Sequence, residues 1–207
     1  MKVILIDTMG SDLTVVNAAR VSFGKKKTKF TKGDGSLINY LAKHNHWTPF
    51  GHCTLQYHIK APMFVARQLG KHQVGLVWNE ISRRYVDDIP DYYIPENWRG
   101  RAEDKKQGSD EENIIQEQWS QYSEHCETSL GIYQLMLEEG ICPEQARMVL
   151  PQSTYTEWYW TGTLMAFARI CNLRCKDDTQ KETRALCYTI DELASDKFPV
   201  SWKALRT

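Results

Sequence analysis

The alternation of apolar and polar positions is clearest over residues 53–60. Cys53, Leu55, Tyr57 and Ile59 alternate with Thr54, Gln56, His58 and Lys60, the period of a strand with one buried face. Residues 3–6 are a continuous apolar run, which predicts a strand buried on both faces. Residues 18–23 (AARVSF) are short and apolar apart from Arg20 and Ser22. Ser36 is a candidate N-cap for a helix through Leu37, Ile38, Tyr40 and Leu41. Pro62 suits the first turn of a helix continued over 63–68. Ile115, Trp119, Tyr122, Cys126, Leu130, Tyr133 and Leu137 recur at steps of three and four, predicting a long helix that Gly140 ends. Pro143 then opens a short helix carrying Ala146, Arg147, Val149 and Leu150. Residues 156–171 are apolar on most sides and predict a central or interface helix. Thr179 and Glu182 form a candidate capping box for a last helix through Leu186, Ile190 and Leu193.

Between these elements, residues 86–101, with two prolines and several aromatics, read as an extended surface segment. Residues 101–113 (RAEDKKQGSDEEN) are polar and read as flexible. There is no internal repeat and no linker. The pattern predicts one α+β domain over residues 1–207, strands early and helices late.

Composition narrows the function without naming it. Lys+Arg and Asp+Glu are 26 each, so the net charge is zero, which argues against a nucleic-acid-coating protein. No apolar run approaches the roughly 20 residues of a membrane span, and the first residues read as a strand rather than a signal peptide. None of the six cysteines forms a CxxC pair, so reduced thiols in a cytoplasmic protein are expected. The histidines of 44–52 (HNHWTPFGH) lack the i,i+4 spacing of a helical metal site, and no metal is expected. The lysines of GKKKTKFTKGDG read as a solvated face, or as attraction for an anionic substrate tail.

The chemistry concentrates in residues 67–85, RQLGKHQVGLVWNEISRRY. Four cations (Arg67, Lys71, Arg83, Arg84), His72, Glu80 and three amides share the segment with Gly70, Gly75 and several apolar residues. Polar groups on every side, beside apolar ones, predict the lining of a polar cavity on a helix that runs into a glycine-broken loop. Arg147 and Arg174 also sit beside apolar surface. Each guanidinium there needs either a buried carboxylate partner or an anionic ligand. A positive cavity suits a phosphate and a planar, hydrogen-bonding ring, and predicts a nucleotide site.

AARVSF, HWTPFGH, HIKAPMFVARQ, NEISRRY, EQARMVLPQSTYT and NLR followed by Gln180 and Glu182 occur in this order. As an ordered set they resemble the flavin-dependent thymidylate synthases along nearly the whole chain. The resemblance implies a twisted, mainly antiparallel sheet packed by helices. It implies transfer and reduction of a one-carbon unit from 5,10-methylenetetrahydrofolate onto C5 of dUMP, giving dTMP, with FAD reduced by NADPH. It also implies a homotetramer with sites shared between subunits. Carried over by position, Gln68, Lys71, Glu80, Ser82, Arg83, Arg84, Arg147 and Arg174 fall where the family binds dUMP. Arg174 falls where an arginine stabilises charge on the uracil, and is the candidate catalytic residue. Thr48, Lys71, His72, Gln73 and Glu80 fall on FAD positions. So do Thr163 and Arg169, and His46 lies where the family meets flavin and folate.

The chain departs from that pattern at several of these positions. Lys71-His72-Gln73 replaces an Arg-His-Arg triplet, and one extra residue lies between His72 and Asn79. Thr163, Met165 and Arg169 stand where Asn, Arg and Asn are frequent, and Asp178 where a histidine is. Two other readings follow: C5-methylation of a related nucleotide such as UMP, or a non-catalytic nucleotide-binding relative. Classical thymidylate synthase chemistry needs an activated cysteine. Only Cys175 lies beside an arginine, and its surroundings do not match.

Overall fold

The computed structural model of the protein describes residues 1–103, 108–115 and 119–206. Its centre is the strand predicted from alternation, β2 (Thr54–Pro62), with Leu55, Tyr57, Ile59 and Ala61 buried and the residues between them half-buried. β2 pairs antiparallel with β1 (Lys2–Met9) on one side and β6 (Tyr155–Thr163) on the other. β3 (Leu76–Glu80) adds to the far side of β6, giving the order β1-β2-β6-β3. The α+β class and the antiparallel sheet agree with expectation.

Helices cover one face of this sheet. α1 (Asp12–Arg20), α2 (Lys32–Lys43), α3 (Met63–Leu69), α6 (Leu164–Arg174), α7 (Lys181–Lys197) and α8 (Pro199–Leu205) bury Val16, Ile38, Val65, Phe167, Ile190 and Trp202 against it or one another. Tyr57 meets Phe167 edge-on at 5.0 Å, tying the central strand to α6. A separate hairpin of β4 (Trp98–Gly100) and β5 (Asp110–Ile115) precedes α4 (Ser120–Glu138), which turns at Gly140 into the short α5 (Pro143–Ala146).

Several expectations are corrected. Residues 156–163 are strand β6, not the start of a helix. Thr156, Trp158, Trp160 and Gly162 face inward while Glu157, Tyr159 and Thr161 do not. The run looks apolar all round in sequence because Tyr159 sits on its outer face; its aromatic and Thr content is that of a strand. β1 is an edge strand with Ile6 and Met9 exposed, so it is not buried on both faces. α2 begins four residues before Ser36, because Thr31 and Asp34 close its first turn: the Thr31 N–H donates to Asp34 Oδ2 at 2.8 Å. Asp34 is fully buried and paired with Arg20 at 3.1 Å and with Lys27. Ile115 ends β5 and Trp119 precedes α4, so the long helix is shorter than its periodicity suggests. Thr179 donates to the Leu173 carbonyl and Glu182 pairs with Arg99 at 2.9 Å, so neither caps α7. Residues 86–101 are less free of structure than predicted, since Tyr92 bridges Thr154 and β4 lies among them. Of the segment read as flexible, residues 104–107 lie outside the described residues, and 110–113 belong to β5.

Candidate active site

The stretch 67–85 folds as the end of α3, a turn at residues 70–75, strand β3, and a second turn at Ser82–Tyr85. Gly75 adopts φ +77°, a conformation that strains other residues, and its carbonyl accepts from the Thr163 N–H at 3.1 Å. This turn sends the chain back along β6 as β3, with Leu76 opposite Gly162, Trp78 opposite Trp160 and Glu80 opposite Trp158. Leu76, Trp78 and Glu80 therefore lie on the helix-covered face of the sheet, looking toward α3. β3 is the element that sequence reasoning misses there: its pattern predicts only a glycine-broken loop.

Two cavities open along it. The larger, about 650 Å³, is lined by Ser82, Arg83, Arg84, Arg147, Gln152 and Thr156 among others. The smaller, about 400 Å³, is lined by Gly70, Lys71, His72, Gln73, Leu76 and Trp78. Met63, Arg67 and Glu80 line both, so the two cavities share a wall. Met63 and Arg67 on α3 and Gly70 at its C-cap recur at steps of four and three, turned away from the buried Val65 and Leu69. That spacing puts Arg67, one of the four cations expected to line a polar cavity, on the cavity side of α3.

The larger cavity is electropositive. Arg67, Arg84 and Arg147 form no ion pair among the described residues. The Arg84 guanidinium donates from Nη2 to the Tyr85 hydroxyl at 3.1 Å. Arg147 Nε donates to the Glu144 carbonyl at 3.3 Å. Arg83 differs: its Nη1 lies 3.1 Å from Asp88 Oδ1 and 2.5 Å from the Asp88 carbonyl. At the turn, the Arg84 N–H donates to Ser82 Oγ at 3.3 Å, and the N–H groups of Tyr85 and Val86 to the Ser82 carbonyl. Glu80 has both oxygens engaged, Oε1 by the Thr156 hydroxyl at 2.6 Å and Oε2 by the Trp78 indole N–H at 3.1 Å.

In the smaller cavity Lys71 is exposed, while His72 accepts at Nε2 from Arg174 Nε at 3.1 Å. Burial, then Arg174 and Arg169, pushes the His72 pKa below its ordinary value, so the ring is neutral near pH 7. Arg174, at the end of α6, lines neither cavity itself and stands behind His72. Gln68 is also outside both, bonded to Gln180 and to the Thr183 hydroxyl. Thr163 Oγ1 caps α6 by accepting from the Ala166 N–H at 3.2 Å, and Arg169 Nη2 donates to the Val74 carbonyl at 3.2 Å. Both stand at the turn that begins β3. Thr48 and His46 line neither cavity; His46 packs near Tyr40 and His44. No set of three or more His, Cys, Asp or Glu suited to a metal occurs among the described residues.

Comparison with known proteins agrees with this architecture. Residues 4–200 match the Thy1 family, described as "Thymidylate synthase complementing protein". A flavin-dependent thymidylate synthase of Thermus thermophilus is 39% identical over 200 residues, covering 97% of this chain and 73% of that one. The enzyme of the same name from Thermosipho africanus is 38% identical, covering 97% and 88%. Among solved structures, the UMP/dUMP methylase PolB from Streptomyces cacaoi, bound with 5-Br dUMP, superposes with a TM-score of 0.86 at 29% identity, covering 98% and 93%. The chain belongs to the Thy1 family and is an enzyme of the flavin-dependent thymidylate synthase kind.

Proposed function

We propose that this protein methylates dUMP at C5 to give dTMP, taking the carbon from 5,10-methylenetetrahydrofolate and reducing equivalents from NADPH through FAD. The observation that carries the reading is the set of three guanidinium groups, Arg67, Arg84 and Arg147, around a cavity of about 650 Å³, none of them paired with a carboxylate among the described residues. Unpaired cations at a cavity call for an anion, and guanidinium forks suit a phosphate. In this reading Arg84, Arg147 and the Ser82 turn hold the nucleotide phosphate, with Arg83 oriented by Asp88. Glu80 accepts from the sugar; Lys71, on the wall of the adjoining cavity, and Gln68, bonded to Gln180 and Thr183, are assigned to the nucleotide on the family resemblance alone.

The smaller cavity suits a flavin ring by its chemistry: the Trp78 face, the neutral His72 and the Gln73 amide flank it, and Lys71 supplies a cation for a phosphate. His46, Thr48, Thr163 and Arg169 are the further FAD residues of this proposal. When bound, the flavin supplies hydride chemistry that the side chains lack. The chain's own part is electrostatic. Arg174, held by His72 beside the smaller cavity, is assigned on the family resemblance to stabilise the negative charge that builds on the uracil as C5 becomes nucleophilic, which makes an enzyme thiolate unnecessary.

Val74, Val77, Tyr85 and Met148, next in sequence to cavity-lining residues, are largely exposed, which supports an interface with another subunit; the homotetramer with shared sites is the assembly the family resemblance implies. All six thiols are free, in keeping with the cytoplasm, and no helix among the described residues is long and apolar enough to cross a membrane. A second reading, methylation of UMP as well as dUMP, is favoured by the TM-score of 0.86 to a UMP/dUMP methylase. Assays with dUMP and UMP, each with NADPH and methylenetetrahydrofolate, test both. Turnover of dUMP supports the first reading, and turnover of neither nucleotide contradicts both.

A further inference from the structure

The wall shared by the two cavities includes one exposed carboxylate, Glu80, with a hydrogen bond at each oxygen. Glu80 and Trp78 are two residues apart on β3, and Thr156 and Trp158 two apart on β6, all four on the same sheet face. The Thr156 hydroxyl is 2.6 Å from Oε1, the range of a charge-assisted O–H···O⁻ bond, and Thr156 is buried. The Trp78 indole N–H is 3.1 Å from Oε2. The indole itself is held. It stacks on Trp158 with centroids 4.3 Å apart and 17° between planes, and meets Trp160 edge-on at 5.5 Å. Both of those tryptophans are buried. The Ile81 N–H, donating to the Glu157 carbonyl at 2.9 Å, extends the pairing past Glu80.

We propose that Trp78 and Thr156 are positioning residues for nucleotide recognition, clamping the Glu80 carboxylate so that its remaining acceptor sites meet a ribose hydroxyl. The inference rests on the nucleotide reading above. An ionised carboxylate offers about four acceptor sites. The two clamping donors take one on each oxygen and leave one on each for a ligand. A carboxylate free to rotate loses rotamer entropy each time it binds, whereas this one is set beforehand. The two clamping residues stand on opposite sides of the shared wall, Trp78 lining the smaller cavity and Thr156 the larger.

The test is dUMP affinity by titration calorimetry on the flavin-loaded protein, with steady-state kinetics alongside. Trp78→Phe keeps a six-membered ring for the stack and removes the N–H together with the rest of the five-membered ring; Thr156→Val removes the hydroxyl and Thr156→Ser retains it. Each N–H or O–H loss is expected to weaken dUMP binding about tenfold, the scale of a hydrogen bond to a charged group. It should raise the nucleotide KM far more than it lowers kcat, while Thr156→Ser stays near wild type. In a Glu80→Gln background, Trp78→Phe should have little further effect, because the residue acts through Glu80. Unchanged affinity in Trp78→Phe, or the same loss with and without Glu80→Gln, overturns the inference alone. Wild-type protein that does not bind dUMP overturns the nucleotide reading and this inference with it.

Discussion

Arg174 Nε donates to His72 Nε2 across 3.1 Å, joining the end of α6 to the turn after α3. The bond exists only while His72 Nε2 is unprotonated, and burial with two nearby guanidinium groups keeps it so. Because the folded pKa lies below the ordinary 6.5, the unfolded chain takes up the proton first as pH falls. Stability from this site is complete above about pH 6.5 and is lost as pH drops toward the folded value. Thermal melts from pH 8 to 5 should show that decline. His72→Gln, which retains an acceptor but does not titrate, should flatten this part of the profile; an unchanged profile would count against it.

The arginines of the larger cavity should not be equivalent. Arg84 and Arg147 have no carboxylate partner among the described residues, so replacing either by Ala is expected to weaken dUMP binding by about ten- to a hundredfold, as for hydrogen bonds to charged groups. Arg83 is engaged by Asp88, and Arg83→Ala is expected to cost less affinity. Calorimetric titration with dUMP ranks the three. Arg83→Ala as the most damaging would contradict the assignment.

Gly162 on β6 is paired with Leu76, the first residue of β3. A Cβ built there meets Leu76 Cδ2 at 2.5 Å and the Gly75 carbonyl oxygen at 2.8 Å. Gly162→Ala must therefore push β3 away from β6, at an overpacking cost of about 1–3 kcal/mol. Lower thermal stability and weaker flavin retention are expected together, since Leu76 and Trp78 line the smaller cavity. A variant as stable as wild type would show that β3 is not held as described.

The legible parts of this protein are those where one physical signal dominates. Alternation over 53–60 reveals β2 because every second residue there is buried. β6 reads as a helix because Trp158, Tyr159 and Trp160 are consecutive aromatics, and only strand pairing decides that Tyr159 faces out. β3 is hidden for the opposite reason. Its inward positions are Leu76, Trp78 and Glu80, and an edge strand facing a cavity has little apolar alternation to reveal it. Arg67 is visible as a charge, but its meaning needs the helical face it shares with Met63 and Gly70. The pairing of Arg174 with His72 spans 102 positions, and no local spacing encodes it.

The most direct test of the central claim is the visible absorption spectrum of purified protein supplied with FAD, recorded with and without dUMP, followed by NADPH and methylenetetrahydrofolate. The account predicts a bound flavin whose spectrum shifts on adding dUMP, bleaches with NADPH, and yields dTMP, with Arg174→Ala retaining flavin but making no dTMP. Protein that binds no FAD and forms no methylated nucleotide would contradict it.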